Sequence, residues 1–493
     1  MQKTTIKKIL QYVLFGLLYT LGVSAFTVSA WYTLTFDLEF KELLYTLASP
    51  LKGTGQSTVA QILSACLPVV LVFVALYVVA VYLLEKGKLT WRYTRRVGAC
   101  FCALLLVCSL VFSLFALRIP GYVRALTEKT TIYEDYYVDP NSVEITANGQ
   151  PKNLIYIYLE SMETTYAATA DGGSQEVNYM PNLTALAQKN ISFSDKTAGL
   201  LGGFHSPLGT GWTMAALLAT TSGIPFSFPL GENGHNAMIY RENFASGLTT
   251  LGDVLAQKGY RQEFLCGSDS AFGGRKTYFE QHGNYEIFDL YTAREEDYIP
   301  DDYKVWWGYE DEILYEIARD EVTRLAASDQ PFNFTMLTVD THHVNGFTCN
   351  ICEYNYTKKL ANVVSCADRQ IADFVAWCQE QDFYEDTVII IMGDHRRMDT
   401  SLVEETDEID RTIYNCFINA ATLPTGTISE RVMTSFDIFP TTLAAMGFSI
   451  EGDRLGLGVN LFSALPTLAE QLGYDYLETE INKFSDYYIR KFS

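Results

Sequence analysis

Apolar residues are distributed differently in the first quarter of this chain and in the rest of it. Three uninterrupted apolar stretches occupy residues 9–34, 62–84 and 97–117. Each is longer than the roughly 18 residues that indicate a membrane-spanning helix. Beyond residue 150, short apolar runs alternate with amphipathic segments, which is typical of an α/β domain whose mostly parallel central sheet lies between helices. We therefore expect a three-helix membrane anchor followed by an α/β domain.

The strands and helices of the second region are predicted from the length and period of their apolar runs. Continuous apolar or aromatic runs are expected of strands that are covered on both faces. Such runs occupy residues 153–159, 262–266, 333–339 and 387–392. Helices are predicted where apolar residues recur at helical spacing. These segments are residues 249–258, 311–327 and 359–381.

Four segments follow from these patterns. They are a transmembrane anchor over residues 1–120, a polar connector over 121–150, the α/β domain over 151–465 and a helical tail over 466–493. The first apolar stretch has an alternative interpretation as a cleaved signal peptide. Because no small-residue cleavage pattern follows it promptly and two further apolar stretches come after it, an anchor is favoured.

The charges around the apolar stretches predict an orientation. Three lysines precede the first stretch and five basic residues separate the second from the third, whereas the segment between the first two has two lysines beside three acidic residues. By the positive-inside rule the N-terminus is cytoplasmic, and three spans then place the α/β domain on the extracytoplasmic side of the membrane. The formal net charge of −22 argues against nucleic acid as a main partner, because like charges repel.

The ten cysteines include a spaced pair in the α/β domain. Cys349-x-x-Cys352 suggests half of a zinc site, but no second ligand pair stands at a finger-like spacing. In an oxidising compartment a disulfide is the better interpretation. We expect Cys366 to pair with Cys349 or with Cys352.

Acidic and imidazole side chains follow all four predicted strands of the α/β domain. In open α/β sheets ligands bind beyond the carboxyl ends of the strands, so these side chains are expected to converge. Glu, Asp and His together favour a divalent metal. The alternative for any one of them is a turn former or a helix N-cap. The residues are Glu160, Asp269, Asp340 with His342 and His343, and Asp394 with His395.

A candidate nucleophile lies in residues 209–219, where glycines precede a strong helix-forming run. This pattern puts Thr213 at a helix N-terminus, where free N–H groups favour an anion. A threonine hydroxyl becomes a competent nucleophile when a metal favours its alkoxide form. A plain capping role is the alternative, and nearby Thr220, Thr221 and Ser222 keep the choice of hydroxyl open.

Six short segments, in this order, resemble the sulfatase-like branch of the alkaline phosphatase superfamily. Within it the chain is most similar to the lipoteichoic acid synthase and phosphoglycerol transferase group, especially the transferases that decorate periplasmic glucans. The resemblance covers about residues 150 to 465. The segments are Leu159-Glu160-Ser161, Gly211-Trp212-Thr213-Met214, Ser222-Gly223-Ile224-Pro225, Asp340-Thr341-His342-His343, Gly393-Asp394-His395 and Asp437-Ile438-Phe439-Pro440-Thr441.

The resemblance implies roles for individual residues. One divalent metal, Mn²⁺ in preference to Mg²⁺ or Zn²⁺, would be held by four ligands, which are Glu160, Thr213, Asp394 and His395. Thr213 would also be the nucleophile. His342 resembles the family's substrate-side histidine, and His342 or His343 would move the proton in catalysis, with a purely structural role as the alternative for His343. Arg275 resembles the phosphate-contacting arginine of the family. With Asp269 and His342 it forms the expected substrate-binding set.

The activity implied by the resemblance is transfer of the glycerophosphate head group of phosphatidylglycerol to a glycan or polyglycerolphosphate acceptor through a covalent phosphothreonine. No obligate protein partner is expected. Gly273 stands where lipoteichoic acid synthases have an aromatic residue, which disfavours polymer formation. Sulfate ester hydrolysis is disfavoured because Thr213 has no Cys-x-Pro-x-Arg setting around it. A phosphoethanolamine transferase, a phosphodiesterase that uses water, and a wall-binding pseudoenzyme are the alternatives.

Overall fold

The computed structural model describes residues 2–36, 40, 43–44, 56–86, 91–147, 149–227, 244–403, 406 and 411–492. The chain separates into two units, of which the first comprises residues 1–43 and 54–124 and the second comprises residues 44–53 and 125–493.

Three long helices form the first unit. They are α1 (Gln2–Thr35), α2 (Gln56–Lys86) and α3 (Trp91–Ala116), and α1 packs against both of the others. Each is long and apolar enough to cross a membrane, and most of the apolar side chains in these spans are exposed. Apolar side chains that face outward all round a helix are expected where lipid covers them. The three apolar helices predicted from the sequence are therefore confirmed.

A six-stranded sheet forms the centre of the second unit, in the order β4-β3-β5-β2-β6-β7. The first five strands in this order are parallel and β7 is antiparallel to β6. The predicted mostly parallel sheet is therefore confirmed. Its strands are β2 (Asn153–Leu159), β3 (Arg261–Cys266), β4 (Glu286–Phe288), β5 (Phe332–Leu337), β6 (Thr387–Gly393) and β7 (Asn415–Ile418).

Both faces of this sheet are covered, which explains why the central strands are buried along almost their whole length and mostly apolar, with Asn333 and Thr335 among the exceptions. In β2, Tyr156 and Tyr158 face one core with helix α7 (Thr213–Ser222), whereas Ile155 and Ile157 face a second core with helices α11 (Asp311–Ala326) and α12 (Lys359–Gln379). The four strands predicted from apolar runs are all present within two residues of their expected ends. The short edge strands β4 and β7 were not predicted.

The remaining elements surround the sheet or pair outside it. Two small two-stranded sheets are formed by β1 (Ile145–Ala147) with β8 (Phe448–Ile450), and by β9 (Arg454–Leu455) with β10 (Gly458–Val459). The helices are α4 (Ile119–Thr127), α5 (Ile132–Tyr136), α6 (Pro181–Lys189), α7 (Thr213–Ser222), α8 (Leu251–Gln257), α9 (Arg275–Gln281), α10 (Leu290–Glu295), α11 (Asp311–Ala326), α12 (Lys359–Gln379), α13 (Ile438–Ala445), α14 (Leu468–Leu472), α15 (Tyr474–Asn482) and α16 (Asp486–Phe492).

Candidate metal centre

Strand register places two carboxylates side by side at the carboxyl edge of the sheet. Leu159 at the end of β2 pairs with Gly393 at the end of β6, so that Glu160 and Asp394 follow at adjacent positions. A Cβ on Gly393 would lie 2.1 Å from the carbonyl oxygen of Met162. Only glycine therefore allows the end of β6 and the segment that follows β2 to approach this closely. His395 comes next, and its ring nitrogen lies with both carboxylates in one buried group whose ligand atoms are all within 4.8 Å of one another.

The ring of His395 is oriented by the backbone. Its Nδ1 lies 2.6 Å from the carbonyl oxygen of Arg396, which only accepts hydrogen bonds, so Nδ1 carries the proton and Nε2 of the neutral ring presents a lone pair. Nε2 lies 3.6 Å from Glu160 Oε1 and 3.4 Å from Asp394 Oδ2. A backbone carbonyl that receives the second ring N–H is the usual support of a metal-ligating histidine.

The carboxylate of Asp394 is only half satisfied by hydrogen bonds. Oδ1 accepts from the backbone N–H groups of Ser161 and His395, at 2.7 and 2.8 Å. Oδ2 is buried and has no hydrogen-bond partner among the residues that the structure describes. Burial, together with the charge of Glu160, raises the pKa of Asp394 to about 7. Two buried carboxylates and an imidazole lone pair that face one another fit a divalent cation, which would neutralise the carboxylates and satisfy Oδ2.

Thr213 brings a hydroxyl to the same group. It is the first residue of α7, as the sequence predicts, and the turn before it contains Gly209 at φ +82°, a conformation that favours glycine. Thr213 Oγ1 lies 3.3 Å from Glu160 Oε2 and 3.4 Å from His395 Nε2. The residue is only half-buried, so part of its surface is open to solvent.

The other hydroxyls near Thr213 along the chain are engaged at the far end of α7. Thr220, Thr221 and Ser222 are buried and donate to carbonyl oxygens of the preceding helical turn, at 2.7, 2.5 and 2.7 Å. The sequence leaves open which of these hydroxyl groups is the nucleophile. Their positions favour Thr213, because its end of α7 faces the acidic group and the other end does not.

His342 lies in the loop after β5, next to this group. Thr341 Oγ1 donates to the carbonyl oxygen of Glu160 at 2.5 Å, which ties the loop to the end of β2. His342 Nδ1 donates to the carbonyl oxygen of His343 at 2.8 Å, so Nε2 of the neutral ring is an acceptor. Burial lowers the pKa of His342 below its ordinary value and lowers the pKa of His343 well below it. Both rings therefore favour the neutral form.

Asp269 and Arg275 hold their own turn after β3. Asp269 accepts hydrogen bonds from the N–H of Ala271 and from the hydroxyl of Tyr291, at 3.0 and 3.1 Å, which is the turn-forming role considered for strand-end acids. Arg275 is buried and donates to Ser268 Oγ and to the carbonyl oxygen of Asp269, at 3.0 and 2.8 Å. Among the described residues, the metal-type group of Glu160, Asp394 and His395 includes neither of them.

A buried ion-pair network beside the group was missed by the sequence reasoning. Glu163 pairs with Arg411 at 2.5 Å and also accepts from the N–H of Arg397 at 2.6 Å. The Arg397 guanidinium binds both oxygens of Asp399 and donates to the carbonyl oxygen of Thr341 at 2.6 Å. The network connects the loops after β2, β5 and β6. No motif marks its members, since buried charges are recognised only once their partners are known.

Removing Glu163 should destabilise the second unit strongly. Glu163 and Arg411 are almost completely buried, and Glu163→Ala leaves the guanidinium without its counter-charge, which typically costs about 3–5 kcal/mol. The midpoint temperature of thermal unfolding should therefore fall. It is measured by near-UV circular dichroism of the full chain in detergent.

The control for this experiment is the exposed pair of Lys129 and Asp486, 2.6 Å apart with more than half of each side chain exposed. Asp486→Ala should cost less than about 1 kcal/mol. Burial opposes ionisation of Glu163, but Arg411 and the hydrogen bonds outweigh it and hold the pKa of Glu163 below its ordinary value. The stabilisation is therefore present above a pH of about 4.5 and lost as the pH falls further. Equal destabilisation by both variants would contradict the buried-pair interpretation.

Comparisons with known proteins identify the family and the fold of this chain. A sulfatase family model matches residues 152–448. Phosphoglycerol transferase I from Salmonella arizonae is 30% identical over 380 residues, which cover 75% of this chain and 46% of the relative. The chain thus spans about half the length of the curated relatives it matches.

Two solved structures share the fold. An alkaline phosphatase superfamily protein from Vibrio parahaemolyticus is 21% identical, with a TM-score of 0.50 over 66% of this chain and 74% of that one. The lipoteichoic acid synthase LtaP from Listeria monocytogenes is 18% identical, with a TM-score of 0.51 over 66% of this chain and 80% of that one.

Proposed function

Because the chain belongs to the sulfatase family, we propose that its α/β domain is a metal-dependent phosphotransferase that moves phosphoglycerol from phosphatidylglycerol to an extracytoplasmic acceptor. The observation that carries the proposal is the hydroxyl of the half-buried Thr213, 3.3 Å from Glu160 and 3.4 Å from His395. The relatives named phosphoglycerol transferase I support the donor. The three apolar helices support a membrane location, where a lipid donor is at hand.

Glu160, Asp394 and His395, with the hydroxyl of Thr213, would hold one divalent metal ion, with Mn²⁺ preferred on the family resemblance. When bound, such an ion supplies Lewis acidity that favours the ionised hydroxyl and offsets developing negative charge. The buried Asp394 Oδ2 without a hydrogen-bond partner among the described residues supports this assignment. The N-terminus of α7, which begins at Thr213, adds backbone N–H groups that favour a phosphate in the same place.

In the first half-reaction the Thr213 hydroxyl gives up its proton and its oxygen attacks the phosphorus of phosphatidylglycerol. A phosphorus–oxygen bond to Thr213 forms, the bond to diacylglycerol breaks, and the departing alcohol oxygen takes up a proton. In the second half-reaction an acceptor hydroxyl loses its proton and attacks the phosphothreonine, and the Thr213 oxygen leaves and takes up a proton. The neutral ring of His342, whose Nε2 is an acceptor, is proposed to move these protons. Arg275 is proposed to bind a phosphate oxygen.

His342→Gln should slow transfer by about 100-fold or more, because the loss of a positioned proton carrier typically costs this much. The matched variant is His343→Gln, which changes a neighbouring half-buried ring and separates a role in proton transfer from a role in packing. Initial rates with labelled phosphatidylglycerol measure both. A His342→Gln chain with normal kcat would exclude this histidine, and an equal loss in His343→Gln would indicate that both substitutions act through the packing of the two rings.

The proposed activity is tested with the full-length chain in vesicles that contain labelled phosphatidylglycerol, with Mn²⁺ and a glucan acceptor. We expect diacylglycerol release and a phosphoglycerol adduct on the peptide that contains Thr213, detected by mass spectrometry. Vesicles with phosphatidylethanolamine test the competing head group. Adduct formation from that lipid alone would replace the donor, release of free glycerophosphate with no labelled glycan would indicate a phosphodiesterase, and the absence of any adduct and turnover would indicate a pseudoenzyme.

A further inference from the structure

Three cysteines converge in the second unit, outside the candidate metal centre described above. Cys349 and Cys352 lie in the loop between β5 and α12, and Cys366 lies on α12. Cys349 Sγ is 3.4 Å from Cys352 Sγ and 3.7 Å from Cys366 Sγ, and all three sulfurs are within 4.8 Å of one another. None of the three side chains is more than 8% exposed. The expected proximity of Cys366 to the pair is observed, but all three residues are free thiols rather than a disulfide.

The arrangement of the sulfurs is that of metal ligands. Zinc binds thiolates at about 2.3 Å in tetrahedral geometry, which separates the sulfur atoms by about 3.8 Å. A disulfide joins only two sulfurs and would leave the third cysteine buried beside it with no function. The sequence disfavoured a zinc site because a second spaced ligand pair is missing, but α12 delivers a third sulfur to the pair from a separate element.

Polar side chains on α12 are aimed at the sulfurs. Gln370 Nε2 lies 3.6 Å from Cys366 Sγ and 4.0 Å from Cys349 Sγ, and the Gln370 side chain is only 6% exposed. Gln370 Oε1 has no hydrogen-bond partner among the described residues. A rotation of this amide by about 180° exchanges its oxygen and nitrogen and turns the oxygen toward the sulfurs as a candidate fourth ligand.

A positive charge also faces the sulfurs. Arg369 Nη2 lies 3.9 Å from Cys366 Sγ and donates to the carbonyl oxygen of Ile351 at 2.9 Å, while Nη1 pairs with Glu353 at 2.7 Å. The guanidinium is thus held against the loop that carries the cysteine pair. Three thiolates around a divalent ion have a net charge of −1, which this cation offsets. Donors directed at ligand sulfurs are characteristic supports of a metal site.

We infer that Cys349, Cys352 and Cys366 bind one zinc ion. Binding converts three thiols to thiolates, releases three protons and involves no oxidant or reductant. The ion would attach α12 to the loop after β5, which also carries His342 and His343. That loop is already folded back on itself, since the N–H of Phe347 donates to the carbonyl oxygen of Asp340 at 2.7 Å. The zinc site would be a structural clamp on this loop, and its existence does not depend on the proposed transfer reaction.

The test uses the full-length chain, purified in detergent without added reductant, and measures zinc content and free thiols. Each of Cys349→Ser, Cys352→Ser and Cys366→Ser should lose about one zinc ion per chain. Cys378→Ser is the matched control, because Cys378 is buried on the same helix away from the cluster, and it should keep the ion. Glu160→Gln should also keep it, which separates this site from the first. Full zinc retention in any one of the three cluster variants, or a disulfide between any two of these cysteines, would overturn the inference.

A second measurement covers the case in which the serine variants fail to fold. Metal-free wild-type chain is titrated with Co²⁺, whose thiolate complexes absorb strongly in the near ultraviolet, whereas oxygen and imidazole ligands produce no such band. We expect this band to reach its maximum at about one cobalt ion per chain and to disappear as Zn²⁺ replaces the cobalt. Absence of the band from fully reduced protein would refute the zinc site.

Discussion

Thr213→Ala should abolish phosphoglycerol transfer and leave the second unit folded. The variant removes the oxygen that lies 3.3 Å from Glu160 Oε2 and 3.4 Å from His395 Nε2, and loss of a nucleophile typically lowers kcat by at least about 10⁴-fold. The side chain is half-buried at the first position of α7, so its truncation should cost no more than about 1 kcal/mol of stability. Initial rates of transfer from labelled phosphatidylglycerol, with circular dichroism of the same samples, measure both effects.

Thr213→Ser is the matched control because it keeps the hydroxyl and removes only a methyl group. It should retain transfer within about tenfold of the wild-type rate, and its peptide should still carry the phosphoglycerol adduct. A Thr213→Ala chain that transfers at the wild-type rate would rule out a threonine nucleophile. An active Ser variant without any adduct would instead indicate direct transfer from lipid to acceptor.

Asp394→Asn should remove the divalent metal while leaving the local backbone in place. The amide oxygen of asparagine can still accept from the N–H groups of Ser161 and His395, which Asp394 Oδ1 accepts now at 2.7 and 2.8 Å. The amide nitrogen replaces Oδ2 and presents hydrogens to a group that needs a negative ligand. Mn²⁺ affinity, measured by calorimetry on the full chain, should fall by about 100-fold or more, and transfer should fall to background.

Asp269→Asn provides the comparison, because Asp269 also follows a parallel strand but its carboxylate accepts from Ala271 and Tyr291. Its Mn²⁺ affinity should equal that of the wild type. Unchanged Mn²⁺ affinity in Asp394→Asn would contradict the assigned ligand set. Removal of the metal from wild-type protein by a chelator should likewise stop transfer, and added Mn²⁺ should restore it.

The main strands were predictable because their signal is local. A strand covered on both faces is apolar at most positions, and residues 154–159 and 388–392 form uninterrupted apolar or aromatic runs within β2 and β6. Strands β4 and β7 have three and four residues, which is too short for a distinct pattern. Their place at the two edges of the sheet depends on pairing with β3 and β6. A segment this short carries no sequence pattern from which that pairing could be predicted.

The cysteine cluster, unlike the main strands, could not be predicted from a local sequence pattern. Spacing along the chain identified Cys349 and Cys352 as a pair and left the site incomplete. The third sulfur and the Gln370 amide come from successive turns of α12, so their arrival depends on how that helix packs against the loop. Glu163 and Arg411 also meet only through the tertiary fold. They are 248 residues apart in sequence, and their buried pair cannot be recognised from either segment alone.

The sequence by itself determined which side chains stand at the ends of buried strands and at the start of a helix, because strand runs and the residues directly after them are neighbours along the chain. Only the tertiary structure decided which of these side chains meet. Glu160, Asp394 and His395 come together through the register of β2 on β6, whereas Asp269 stays in its own turn. The reason is physical: register is set by the packing of whole sheet faces between distant segments, and no local stretch of sequence contains that information.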